Sequence, residues 1–224
     1  LSQRSSVATD GGLAGLLLKE HRVEERGALI AGREISVRVD HVLLAESEAC
    51  VAMLILHGAG VEHVASELAL CVAGRGGIPL DLDRSQRLRW LSHASARLGL
   101  HYARPGAGLA HQVHLARAAA PGKLLVGCGV SATACGALGM VGFDVTEAEA
   151  AGALSGAPLR MVVPRFSRVS LIGSLPWWAG VADVGVALDS LLRAGGSHGV
   201  AIEFDGPGVA NLSVADRALL AVEC

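Results

Sequence analysis

Aromatic side chains are scarce: Phe, Trp and Tyr make up 3% of the 224 residues. A core must therefore come from Ala, Val and Leu. Charge of one sign is also lacking, since 19 basic residues face 21 acidic ones for a net charge of −2. That balance gives no electrostatic case for a nucleic acid or an anionic membrane as partner. Charged residues are only 18% and hydrophobic ones 51%, which excludes a disordered chain. No internal repeat and no low-complexity linker divide the sequence. No phosphate-cradling G-x-x-x-x-G-K-[ST] or G-x-G-x-x-G motif follows a strand with a suitable acidic partner. No pair among Cys50, Cys71, Cys128, Cys135 and Cys224 has C-x-x-C spacing. Residues 1–20 hold no apolar stretch with a cleavage site, so no secretory signal is expected. An odd number of thiols without such a signal points to a reducing cytoplasm.

Glycine, by contrast, is abundant, with 29 residues. The length suits one large domain able to bury a core without disulfides. Residues 1–11 read as a flexible polar arm, and 12–224 as a single domain. Residues 124–143 carry no charge over twenty positions, long enough for a membrane span. Their glycines, Ser131 and Thr133 favour a buried strand, a turn and a small-residue helix instead, and no membrane is expected.

Periodicity then gives the elements. Residues 13–20 form a short amphipathic helix. Ile35, Val37 and Val39 alternate within a strand over 34–42. A helix comes next over 49–56, and Val and Leu recur over 61–72 before a Gly-rich turn at 74–79. Leu88, Leu91, Ala94 and Leu98 share a helix face over 83–98, with Arg84, Arg87 and Arg97 outward. Residues 102–109 read as a loop and 111–119 as a short helix. Leu124–Val126 is a buried strand. Thr146 and Glu149 have the form of a capping box for a helix over 146–154. Strands are expected at 162–164, 168–173 and 200–204, with helices at 183–192 and 213–222. Strands alternate with helices, so the class is α/β.

Several stretches resemble the first domain of the aconitase and isopropylmalate dehydratase family. "EISVRVDHVLLAESEACVAML" is similar to the family's opening strand and the segment after that strand. "GLAHQVHLARAAAPGKLLVGCGVSATACGALGM" resembles its His-Gln-Val element, its Pro-Gly turn and its Asp-Ser-His loop. "IGSLPWWAGVADV" and "GGSHGVAIEFDGPGVANLSVADRALLAVE" resemble later strand–helix units. The resemblance runs from about residue 13 to 223. It implies an aconitase-like α/β/α domain with a mostly parallel sheet.

The family's reaction is reversible dehydration of small hydroxy-polycarboxylic acids, with a 4Fe-4S cluster as Lewis acid. The resemblance implies that the three cluster cysteines belong to segments beyond this domain. The five cysteines here do not match those positions, so no cofactor and no metal are expected. The family's Gln-Asp pair aligns with Ala45-Glu46, its Asp-His pair with Gly74-Arg75, its Asp-Ser-His loop with Gly129-Val130-Ser131, and a Lys with Ala182. Only His111 survives. Glycine and valine side chains transfer no protons, so the parent reaction is not expected.

The remaining candidates have two readings each. His111 is either an acid/base in a repurposed site or an inherited pocket histidine. Cys128 is a nucleophile or a small core residue. Ser131 is an assisting hydroxyl or a turn cap. Arg75 is a carboxylate clamp or a solvated turn residue. His101 and Gln112 join Arg75 as expected substrate contacts. His111 and His114, at i and i+3, could pair on a metal, but no further ligand joins them at suitable spacing. The first functional expectation is a cluster-free lyase or isomerase acting on a carboxylate- or carbonyl-bearing small molecule through His111. The alternative is an inactive pseudoenzyme or partner subunit. A homo-oligomer or partner subunit is expected, because the face that neighbouring domains cover in the family should be apolar.

Overall fold

The computed structural model describes residues 12–23, 27–74, 82–194 and 199–223. The arm expected at 1–11 lies outside the described residues. The centre is a five-stranded sheet of β2 (His41–Ala45), β3 (Leu68–Val72), β4 (His101–Ala103), β5 (Leu124–Cys128) and β6 (Val141–Asp144). All pairings within it are parallel, in the order β4-β3-β2-β5-β6. All five residues of β5 are buried, as are the first four of β2, and this is why both segments are nearly continuous apolar runs.

Alternation along the strands feeds two cores. Val42, Leu44, Ala69, Cys71, Leu124 and Val126 pack with α2 (Glu46–Gly58), α3 (Leu82–Leu98) and α5 (Glu147–Leu154). Leu43, Leu70, Val72 and Leu125 point the other way. They meet α4 (Ala110–Arg117) and a 3₁₀ segment at Ala132–Leu138. The chain thus leaves β2 toward one face and β5 toward the other. These neighbouring strands form a topological switch point, the place where open α/β sheets bind ligands.

The strand expected over 34–42 is split. β1 (Glu34–Val37) pairs antiparallel with β7 (Leu159–Val162), whereas β2 joins the parallel sheet. The break is held by Asp40, which is buried. Its carboxylate accepts the Leu124 N–H at 2.9 Å and His21 Nε2 at 2.6 Å. His21 closes α1 (Leu13–His21), and its Nδ1 donates to the Leu17 carbonyl at 2.8 Å. Burial raises the Asp40 pKa, but the Leu124 and His21 hydrogen bonds outweigh it and hold the carboxyl below its ordinary value.

Other expectations shift by a few residues. The first two residues of the loop expected at 102–109 belong to the short edge strand β4. Residues 124–143 form β5, the 3₁₀ segment and β6, and no described helix is long and apolar enough to cross a membrane. Pro164 separates β7 from β8 (Arg165–Ser170), which pairs in parallel with β9 (Val200–Asp205) across α6 (Val181–Ala194). A single turn, α7 (Pro207–Ala210), precedes α8 (Val214–Glu223). The glycines expected to stop α6, Gly195 and Gly196, lie outside the described residues.

The capping box at α5 is present: the Thr146 side chain accepts from the Glu149 N–H, and the Glu149 carboxylate accepts from the Thr146 N–H at 2.8 Å. Thr146→Ala removes the reciprocal pair and is expected to cost about 1 kcal/mol in urea unfolding. An unchanged midpoint would show that the cap contributes nothing.

Candidate functional site

The carboxyl ends of β2, β3 and β5 bring together four charged side chains. Glu46 opens α2, where the positive end of the helix dipole favours a carboxylate. It accepts from Arg84 Nε at 3.2 Å and Nη2 at 3.0 Å, and from Arg87 Nη2 at 3.3 Å. The Arg84 hydrogen bond, joined by Arg87, holds the Glu46 carboxyl below its ordinary range against the opposing effect of burial. Glu48, two residues further along α2, accepts the Ser47 hydroxyl at 2.6 Å.

These groups occupy the space that two glycines leave open. Gly74, after β3, has φ +33, and a Cβ there would lie 3.3 Å from both Arg84 Nη2 and Glu46 Oε2. Gly129, after β5, has φ +68. A Cβ there would overlap the Glu48 side chain, with Oε2 at 2.6 Å. The resemblance aligns the first position with the family's Asp-His pair and the second with its Asp-Ser-His loop. Here a carboxylate–guanidinium cluster fills the first and a lone carboxylate the second.

The candidates read from the sequence disperse around this cluster. Cys128 is buried at the end of β5. Burial, with Glu147, Glu48, Asp144 and Glu149 nearby, pushes its thiol up to about 11, so it is protonated at neutral pH. Ser131 sits at the N-cap of the 3₁₀ segment, half-buried, without a side-chain cap bond. The Ala132 N–H beside it donates instead to the Asp144 carboxylate at 3.2 Å. His111 is half-buried in the first turn of α4, and Gln112 is exposed. His101 is exposed at the start of edge strand β4, three strand positions from β5, a separation of roughly 14 Å at the usual spacing. Arg75 lies outside the described residues.

His114 does not pair with His111. It is buried, and its Nε2 lies 3.1 Å from Nδ1 of buried His41, the two rings meeting edge to face. Burial first, then the proximity of His41, pushes His114 down to about 4, and burial also lowers His41. Two cavities open elsewhere. One of about 960 Å³ lies among the 3₁₀ segment, β6, β7, β8, β9 and α8. The other, of about 580 Å³, lies beside the Leu171–Ala179 loop and α6. Neither is lined by His101, His111, Gln112, Cys128 or Ser131.

The described thiols do not suit the iron–sulfur cluster that the resemblance implies. Cluster ligands are thiolates. Among the described residues no three His, Cys, Asp or Glu side chains converge as a metal site. Cys224 lies outside them.

Fold and site together define an aconitase-like α/β/α domain, a doubly covered parallel sheet whose switch point is occupied by its own charged side chains. The chain belongs to the aconitase family. The model of that family, aconitate hydratase, matches residues 49–223. The chain is 32% identical over 189 residues to "Aconitate hydratase, mitochondrial" of Schizosaccharomyces pombe, covering 80% of this chain and 24% of that protein. A "Putative aconitate hydratase, mitochondrial" of Emericella nidulans is 31% identical over 196 residues, covering 84% and 25%. "Homocitrate dehydratase, mitochondrial" of Saccharomyces cerevisiae is 28% identical over 195 residues, covering 83% and 25%. The chain therefore spans about a quarter of the length of these relatives. The mitochondrial names of the relatives overturn the cytoplasmic expectation. Unpaired thiols report a reducing compartment and do not say which one.

Sequence reasoning missed the Glu46–Arg84–Arg87 cluster. Its signal was present: Glu46 stands in an aligned site position, and Arg84 and Arg87 are one turn apart on α3. Both arginines read as solvent-facing, and Arg87 is exposed, yet both reach Glu46 at the start of α2.

Proposed function

We propose that this chain is an aconitase-fold domain without hydro-lyase chemistry of its own, acting as a binding or partner subunit. The observation that carries this reading is the filled switch point. Glu48 takes the space beside Gly129, and the Glu46–Arg84 pair takes the space beside Gly74. Dehydration needs a base for a carbon-bound proton and an acid for the departing hydroxyl, both within hydrogen-bond reach of one substrate. Glu46 is engaged by two arginines and is held ionised, which suits it to fixing α2 against α3 and not to moving a proton. A protonated Cys128 thiol supplies no nucleophile there.

The test is to incubate the chain with aconitate and with homocitrate in deuterium oxide and follow both by proton NMR. The expected result is no hydration or dehydration and no exchange of carbon-bound protons. Turnover or exchange by the chain alone would overturn the reading. If His111→Ala then abolished it, the lyase or isomerase built on His111 would stand in its place.

A further inference from the structure

We propose that the loop between β8 and α6, together with the groove beside it, is a self-complementary surface on which a second copy of this chain docks, joining Trp177 of each copy to the groove of the other. This goes beyond the functional reading and does not depend on it.

Two of the three tryptophans stand side by side in this loop, with Trp177 96% and Trp178 72% exposed. Isolated apolar residues on a surface are ordinary, but paired exposed indoles are not, and tryptophan is among the residues most enriched where proteins bind each other. Ile172 and Leu175, in the same loop, are also exposed. A whole indole residue buries up to about 250 Å². The two tryptophans alone thus expose about 400 Å², half of the roughly 800 Å² that each partner gives to a standard interface.

The shape is that of a knob next to a hole. The groove of about 580 Å³ is walled by Leu171, Leu175, Trp178, Val184, Leu212 and Leu220, and Trp177 does not line it. That volume lies within the range that holds a small organic molecule, so an indole fits. A twofold axis beside the loop sets each knob against the other hole, which is the geometry of an isologous dimer. No charged residue occurs from Val169 to Ala182, so the loop itself brings no like charges together. Asp183 is the one acidic residue lining the groove, and its carboxylate is taken by the Gly180 N–H at 2.8 Å.

The surface is also held in shape. The Leu171 N–H donates to the Asp205 carbonyl, and the Gly208 N–H to the Leu171 carbonyl, both at 2.8 Å, while the Ala179 N–H donates to the Pro176 carbonyl at 3.0 Å. A loop fixed at both ends loses little freedom on docking, which favours association.

Sedimentation equilibrium of the chain across micromolar concentrations tests this, with Trp177→Ser as the variant. Trp177 is almost fully exposed, so the variant should fold, and its circular-dichroism melt should match the wild type. The expected result is a dimer whose dissociation constant rises about a thousandfold or more in Trp177→Ser, since the twofold axis removes two anchor residues at once, each worth about thirtyfold. In a Trp90→Phe background, acrylamide should quench the remaining tryptophans less in the dimer than in the Trp177→Ser monomer. A monomer at all concentrations, or a dimer whose constant Trp177→Ser leaves unchanged, would overturn the proposal.

Discussion

Gly142→Ala is expected to cost about 3 kcal/mol or more, a large part of the 5–15 kcal/mol that holds a typical domain together. The reason is a close approach of two backbones. Gly142 lies in β6 opposite Leu125 of β5, on the face that carries the 3₁₀ segment. A Cβ at this position would overlap the Ala132 carbonyl oxygen, with the carbonyl carbon at 2.7 Å and Cys135 Sγ at 2.8 Å. A flexible side chain could turn away, but a carbonyl in a packed turn cannot. Ala132, Ala134, Cys135 and Ala137 are all buried, and the Ala132 N–H is held by Asp144. Gly127 makes the same demand on β5, where a Cβ would lie 2.5 Å from Val130 Cγ2 and 2.8 Å from Ala132 Cβ. Two glycines on adjacent strands thus let the 3₁₀ segment rest directly on the sheet. Gly152→Ala is the control. In the interior of α5 its nearest neighbour would be Ala157 Cβ at 4.0 Å, so the change should stabilise by about 0.5–1 kcal/mol. Urea unfolding followed by circular dichroism measures both. A Gly142→Ala variant as stable as the wild type would show that the strand and the 3₁₀ segment are not in this contact.

The same region shows what a sequence carries and what it does not. "LLVGC" announces β5 because a strand covered on both faces must be nearly apolar throughout, whereas only the first two residues of β2 fall within the strand read over 34–42. Thr146 and Glu149 announce the start of α5 because a capping box is local in sequence. The glycine-rich run after β5 announces a turn but not its reason, since Gly142 meets Ala132 only once β6 has returned beside β5. The break at Asp40 is equally hidden. Ile35, Val37 and Val39 continue one alternation, and only the long-range bonds of Asp40 to His21 and Leu124 divide it. The filled switch point lies between these extremes. The loss of side chains at Gly74 and Gly129 is legible residue by residue. Their replacement by Glu46, Arg84 and Glu48 is not, because it joins α2, α3 and the turn after β5, which are distant in the chain. His111 stands in the His-Gln-Val element, whereas His114, one turn on, is the histidine that burial pushes down to about 4.

That downward shift makes a second large effect measurable. Stability is expected to fall by about 3 kcal/mol as the pH drops from about 7 to about 4. His114 titrates near 6.5 when unfolded and is pushed down to about 4 in the folded chain. Between those values the unfolded chain binds a proton that the native chain refuses. The stabilisation is therefore complete above 6.5 and is lost as the pH falls toward 4. His41 shifts in the same direction: burial lowers it, Glu67 and Asp40 oppose this, and Lys123 reinforces it. Nδ1 of His41 and Nε2 of His114 are 3.1 Å apart, so charging one ring further disfavours charging the other. Burial is the largest cause for both, and salt screens exposed charges far more than buried groups, so added salt should leave most of the effect in place. Asp40, held below its ordinary 3.8, adds a separate loss only at more acid pH, where its carboxylate is protonated in the unfolded chain first. The double variant His41→Gln and His114→Gln keeps hydrogen-bonding side chains in the core and removes both titrations. Its stability at neutral pH should be lower than the wild type, but its profile between 6.5 and 4 should be much flatter. Urea unfolding at a series of pH values separates these outcomes, and a wild-type profile that is flat across that window would mean that His41 and His114 are not buried together as neutral rings.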